Sequence, residues 1–259
     1  MTLATHAPLF RPRTAARVAP VALGVATVLA QIAYPLTSGT ARSGLSMLTV
    51  SLFFAASVTH ALAWRGARFT AALLAVTTLG GLAVEAVGVG TGFPFGAYAY
   101  TDSLPPRILG VPWVIPLAWT MMAYPALIVG RRISASPRAG VLAAAAAFAT
   151  WDLYLDPQMV DAGHWVWSGG GPALLGIPLT NYAGWFLTGL VMMALLWRPF
   201  ATASAPRIDD RLPTTLWLWT AIGSFVAHAV FLGLPGSAVA GGLGMGAVAV
   251  AFVRALRRA

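Results

Sequence analysis

VPWVIPLAWTMMAYPALIVG (Val111–Gly130), RRISASPR (Arg131–Arg138) and AGVLAAAAAFATWDLYL (Ala139–Leu155) follow one another in the chain, and their alternation decides the fold. Two apolar runs flank a short break that carries three arginines. A hydrocarbon core roughly 30 Å thick takes about 20 helical residues at 1.5 Å each, so both runs can cross it, the second only just. Outward from this pair the pattern repeats and predicts eight spans: 18–36, 46–64, 69–90, 111–130, 139–155, 178–197, 214–234 and 236–253. The expected fold class is all-α, a polytopic transmembrane bundle forming one integral membrane domain over 1–259.

The sixteen basic residues are all arginines, and they occupy alternate gaps. One set holds Arg11, Arg13, Arg17, Arg65, Arg68, Arg131, Arg132, Arg138, Arg198, Arg207, Arg211, Arg254, Arg257 and Arg258; the other holds Arg42 and Arg107. Fourteen against two predicts a multi-pass protein of the plasma membrane with both termini cytoplasmic. The net charge of +9 is then a topology signal. No basic run is interleaved with stacking aromatics, which argues against nucleic acid as a partner. With 58% hydrophobic and 9% charged residues, a soluble globule is excluded. The first span reads as a retained helix, since no small-residue cleavage site follows it. The absence of cysteine removes disulfides and thiol chemistry.

Orientation assigns a depth to each polar side chain. Gln31, Tyr34, Glu85, Asp152, Asp156, Asn181 and His228 all fall in the outer leaflet, whereas the inner leaflet offers His60 and scattered Ser and Thr. Acids within a membrane are expensive, about 2.5–3.5 kcal/mol for Asp at the centre by insertion scales, so they face a bundle interior and have partners. Glu85 and Asp152 have no Arg within one or two turns to neutralise them. Asp156 precedes Pro157, which should end the helix there. Gln31 and Tyr34 also suit plain helix–helix hydrogen bonding, and His228 suits a core histidine.

Two outer loops echo one another, over 85–119 and 152–185. Glu85 is followed by Tyr98-Ala99-Tyr100, by Gly110-Val111-Pro112 and by Trp119; Asp152 is followed by Trp165-Val166-Trp167, by Gly176-Ile177-Pro178 and by Trp185. Acid to glycine is 25 residues in one and 24 in the other. If the echo is structural, each half delivers one carboxyl and one aromatic pair to a shared site, with lid-like turns at the aromatics. An ordinary aromatic belt would place the same rings at the same depth.

A carboxylic acid in apolar surroundings can hold a proton at neutral pH and donate it. Aromatic faces stabilise a developing cation by about 0.5–2 kcal/mol each, and a second carboxyl can activate water. These parts fit protonation and hydration of an isoprenoid double bond. No thiol, nucleotide loop or His-rich metal cluster appears, so neither cofactor nor metal is expected.

The segments GFPFGAYAY (Gly92–Tyr100), GVPWVIPLAW (Gly110–Trp119), WDLYLDP (Trp151–Pro157) and GIPLTNYAGW (Gly176–Trp185) resemble the membrane carotenoid hydratase family, over roughly residues 80–200. The resemblance implies cofactor-free addition of water to the terminal double bond of an acyclic carotenoid lying in the bilayer lipid, beside other carotenoid-pathway enzymes. From the chemistry, Glu85, Asp152, Asp156 and Asn181 are the expected catalytic groups. Tyr98, Tyr100, Trp119, Trp165, Trp167, Trp185 and His228 are the expected substrate contacts. Two other readings stay open. Asp152 and Asp156, one turn apart, could bind Mg²⁺ for a prenyltransferase, although Arg107 is the one basic residue near them in the outer loops. The protein could also be a transporter or scaffold, against which stands the apolar inner half.

Overall fold

The computed structural model describes residues 14–203 and 208–258; Arg11, Arg13 and Arg207 lie outside them. Helix α1 (Thr14–Ala33) ends in a 3-10 turn at Tyr34–Leu36, and α2 runs from Gly39 to Leu73. A π segment (Leu74–Leu79) joins α2 to α3 (Gly80–Thr91). The helices that follow are α4 (Val114–Ile133), α5 (Pro137–Ala149), α6 (Asp152–Asp161) and α7 (Leu179–Ala203). Helix α8 (Arg211–Val226) continues as a π segment, Ala227–Phe231, before α9 (Pro235–Leu256).

Six helical stretches among the described residues are long and apolar enough to cross a membrane. The longest, Gly39–Thr91, has 53 residues, which at 1.5 Å each is more than twice a bilayer core. It breaks at Gly66, whose backbone (φ 82°, ψ 169°) is non-helical, within the arginine gap between the second and third expected spans. The expected fifth span is instead two short helices, α5 and α6, parted at Thr150–Trp151. Its freed Ala147 carbonyl accepts the Trp217 indole N–H at 3.0 Å.

One expectation is corrected: Pro157 lies inside α6 and does not end the helix at Asp156. Proline has no N–H for the carbonyl four residues back, which here is Leu153. The Ser237 hydroxyl of α9 donates to that carbonyl at 2.7 Å. Pro125 inside α4 is accommodated in the same way: the Met121 carbonyl that it orphans accepts from Ser57 at 3.1 Å. Within a membrane this substitution of a hydroxyl for a missing amide lets a proline persist in a helix.

The outer loops are built from matching pieces. Strand β1 (Tyr98–Tyr100) pairs antiparallel with β4 (Trp165–Trp167), in the register Tyr98 to Trp167 and Tyr100 to Trp165. Strands β2 (Arg107–Ile108) and β3 (Val111–Pro112) form one hairpin, β5 (Ala173–Leu174) and β6 (Ile177–Pro178) another. Both turn through a Leu-Gly pair with positive φ, Leu109-Gly110 and Leu175-Gly176, the backbone of a two-residue turn that matches strand twist. The β1/β4 ribbon turns Tyr98, Tyr100 and Trp165 inward and exposes Val166. It roofs the bundle over the ends of α3 and α6.

Candidate active site

Under this roof lies a cavity of about 420 Å³, walled by α1, α2, α3, α4, α6, α7 and α8. Glu85, Asp156 and Asn181 line it, and among the described residues no basic side chain does.

Glu85 is buried on α3 and saturated with donors. Its Oε2 accepts the hydroxyls of Tyr98 (2.5 Å) and Tyr100 (2.7 Å), and its Oε1 accepts the Trp119 indole N–H (3.0 Å). Burial, and then the adjacent Glu85 carboxylate, push both phenols above their ordinary range, so they remain donors. The approach depends on two glycines one turn to either side of the acid. A Cβ at Gly81 would lie 2.7 Å from Trp119 Cγ, and one at Gly88 would lie 2.7 Å from the Tyr98 hydroxyl.

Asp152 and Asp156 occupy successive turns of α6, the first in the opening turn, where a negative group suits the helix dipole. Both accept from the single amide nitrogen of Asn181, Asp152 Oδ2 at 2.7 Å and Asp156 Oδ2 more closely. Asp156 Oδ1 also accepts from the Trp165 indole at 3.2 Å. Asp152 Oδ1 is buried without a partner. Asp156 faces the cavity and Asp152 sits behind it. An N–H donor between the two carboxyls fills the position a bridging cation would need. Among the described residues no group of three His, Asp or Glu side chains is placed to hold a metal.

Rings complete the enclosure. Trp119 and Trp185 stack at 4.5 Å and 9°, with Trp151 edge-on to Trp185 at 6.0 Å. Phe95 and Trp151 line the cavity with them; both lie in the motifs quoted above, which are the signal that could have singled them out. Trp167 lines it too, and its indole N–H is buried without a partner. The structure thus brings together every expected site residue except His228. That ring lies outside the cavity, between Ser237 Oγ (2.8 Å) and Gln158 Oε1 (2.9 Å), as a core histidine would.

Away from this site, Arg65 pairs with Asp210 at 2.5 Å and Arg132 reaches the same carboxyl at 3.3 Å. His60 Nδ1 meets the Tyr124 hydroxyl and its Nε2 meets the Asp209 carbonyl, both at 2.8 Å. Three arginine-bearing gaps therefore gather at the end of the bundle opposite the ribbon.

Residues 45–216 match the family model described as carotenoid biosynthesis protein, a longer stretch than the 80–200 suggested by the motifs. The chain is 34% identical over 174 residues to a bisanhydrobacterioruberin hydratase of Haloarcula japonica. That alignment covers 62% of this chain and 58% of the relative, so the match spans little more than half of the relative's length. No solved structure matches. Four ordered motifs built around one acid-lined cavity, the long apolar helices and the family match agree: this chain is a helical membrane protein and belongs to the carotenoid biosynthesis protein family.

Proposed function

We propose that the protein is a hydro-lyase that adds water across the terminal double bond of an acyclic carotenoid end group, giving a tertiary alcohol. The observation that carries this reading is that Asp156, one of two carboxyls on a single amide, and Glu85, separately solvated by three donors, face one apolar cavity. The named relative is a carotenoid hydratase, which supports the substrate class.

Two carboxylate anions on one amide repel in a dry site, so the Asp152–Asp156 pair holds a proton between them. Asp156 delivers it to the less substituted alkene carbon: the π pair forms the new C–H bond and leaves a tertiary cation. The faces of Trp119 and Trp185 border that cation. Water adds to it, and Glu85 accepts the released proton. Return of a proton from Glu85 to the aspartate pair resets the site. Asp152 and Asn181 act as positioning residues. We read the 85–119 and 152–185 loops as two copies of one unit, each giving one acid-bearing helix and half of the ribbon.

The arginine-rich end gathered on Asp210 supports the cytoplasmic side, with both termini there and the cavity toward the outer leaflet of the plasma membrane. The test is expression beside an acyclic carotenoid pathway, with pigments read by mass. A gain of one water per reacting end is expected with the native chain and none with Asp156→Asn. Unchanged pigments with the native chain would favour a transporter or scaffold.

A further inference from the structure

Tyr98, Tyr100, Trp165 and Trp167 of the β1/β4 ribbon all line the cavity, and each ring carries one polar hydrogen. Three of these hydrogens are engaged. The Tyr98 and Tyr100 hydroxyls donate to Glu85, and the Trp165 indole donates to Asp156 at 3.2 Å. The fourth, on the Trp167 indole, is buried with no hydrogen-bond partner. No ring face receives it either. Its one ring contact among the described residues is Tyr98, at 5.0 Å and 40°, a leaning stack and not the perpendicular approach of an edge onto a face.

The ribbon fixes where that N–H sits. Trp167 lies opposite Tyr98 in the antiparallel register, and Trp165 lies opposite Tyr100; side chains opposite one another share a face and are immediate neighbours. Trp167 is therefore beside a phenol that holds Glu85, while Trp165 carries the bond to Asp156. Just past Trp167 the Ser168 N–H donates to the Ala97 carbonyl at 2.9 Å, which pins the strand end that bears the indole. Buried donors in a native fold have partners, so an N–H on a cavity wall that meets no protein acceptor points to an oxygen within the cavity. Hydration requires one such oxygen, that of the water that attacks the cation and releases a proton to Glu85. The other donors beside Glu85, from Tyr98, Tyr100 and Trp119, are already committed to its carboxyl.

We propose that Trp167 positions the attacking water, its indole N–H donating to the water oxygen on the Glu85 side of the cavity. The proposal rests on the hydratase reading above. One lone pair of the water accepts from the indole, and one O–H points to Glu85. The second lone pair forms the C–O bond to the tertiary carbon. That O–H bond then breaks toward Glu85, and the proton delivered from Asp156 stays on the neighbouring carbon, so the alkene gains one water. A neutral N–H orients the oxygen while taking little electron density from it. Trp165 and Trp167 are two apart on one strand and so share a face; the first serves the acid and the second the water.

Turnover in heavy water separates this from a merely structural role. A cation that meets no water loses a neighbouring C–H proton and leaves as an alkene carrying deuterium. Detergent-purified protein is given an acyclic carotenoid, and mass spectrometry reads both the alcohol and the deuterated alkene. Trp167→Phe should lower alcohol formation at least about tenfold, ~1.4 kcal/mol in the barrier, and raise the ratio of deuterated alkene to alcohol by a similar factor. Benzothienylalanine at the same position keeps the ring outline and replaces only the N–H with sulfur; it should give the same shifts, and it decides the matter where Phe disturbs the fold. Alcohol formed at the native rate by a folded variant would overturn the inference. So would alcohol and exchange falling together, the mark of a ring that only supports the roof. Both results leave the hydratase reading standing. A native protein that forms neither product would overturn that reading, and this inference with it.

Discussion

Replacing Gly88 with alanine tests whether Glu85 works through its hydrogen bonds. A Cβ there would lie 2.7 Å from the Tyr98 hydroxyl and 2.9 Å from Phe95 Cδ2. Ordinary contact begins near 3.4 Å, so the phenol must retreat by about 3.4 − 2.7 = 0.7 Å. Its 2.5 Å bond to Glu85 would then stretch beyond 3 Å and weaken sharply. A hydrogen bond to a charged group contributes about 1.5–3 kcal/mol, and each 1.36 kcal/mol is tenfold in rate. Turnover should therefore fall about 10- to 150-fold. The helix itself should not suffer, since alanine is the better helix former by roughly 1 kcal/mol. Tyr98→Phe removes the same bond without crowding and should fall in the same range. The double variant should be no worse than the poorer single one, because both act on one interaction. The assay is hydration of an acyclic carotenoid by detergent-purified protein, with monodispersity as the control for folding. Full activity in Gly88→Ala, or losses that multiply in the double variant, would refute the role given to Glu85.

Asp152→Asn should abolish hydration although Asp152 does not line the cavity, because the pair can no longer share a proton; retained turnover in a folded variant would remove it from the mechanism. Ser237→Ala should lower stability by about 1–3 kcal/mol for each partner it orphans, the Leu153 carbonyl and His228 Nδ1, and Pro157→Ala in the same chain should recover only the carbonyl's share by restoring an N–H. Arg65→Met should cost on the order of 3 kcal/mol by breaking a buried ion pair while leaving turnover unchanged, and a changed turnover would show that the two ends of the bundle are coupled. Burial holds the His164 imidazole below its ordinary range, so the unfolded chain binds more protons and stability declines as pH falls below about 6.5. Hydrogen-exchange protection at Thr101 and Ser103, which bond to the His164 loop, taken relative to the unstructured chain at the same pH, should then be lower at pH 5 than at pH 7.5, and equal protection at the two would exclude this. The native chain has no cysteine, so single cysteines at Ala135 and Asp102 can report topology: an impermeant reagent on intact cells should label the second and not the first.

The motifs that carry the site were legible because each is a local device. A Gly-aliphatic-Pro step opens a helix, and an aromatic-x-aromatic triplet turns two rings to one side. What these local devices pair with was not legible. Tyr98 meets Trp167 across 69 residues of chain, and Asn181 reaches two carboxyls on another helix. Pro157 read as a helix end because the hydroxyl that replaces its missing amide comes from Ser237, 84 residues from the carbonyl it serves. His228 read as a site residue because its depth is local information, whereas its rotation toward Ser237 and Gln158 is not.

By itself the sequence determined that this is a membrane protein with acids in apolar helices. Transfer of each residue from water to hydrocarbon is a nearly independent cost, so length and composition suffice. Tertiary structure alone decided which acids share an amide and which is solvated by phenols. Those outcomes depend on how each helix is rotated, and rotation is set by satisfying buried polar groups between segments far apart in the chain.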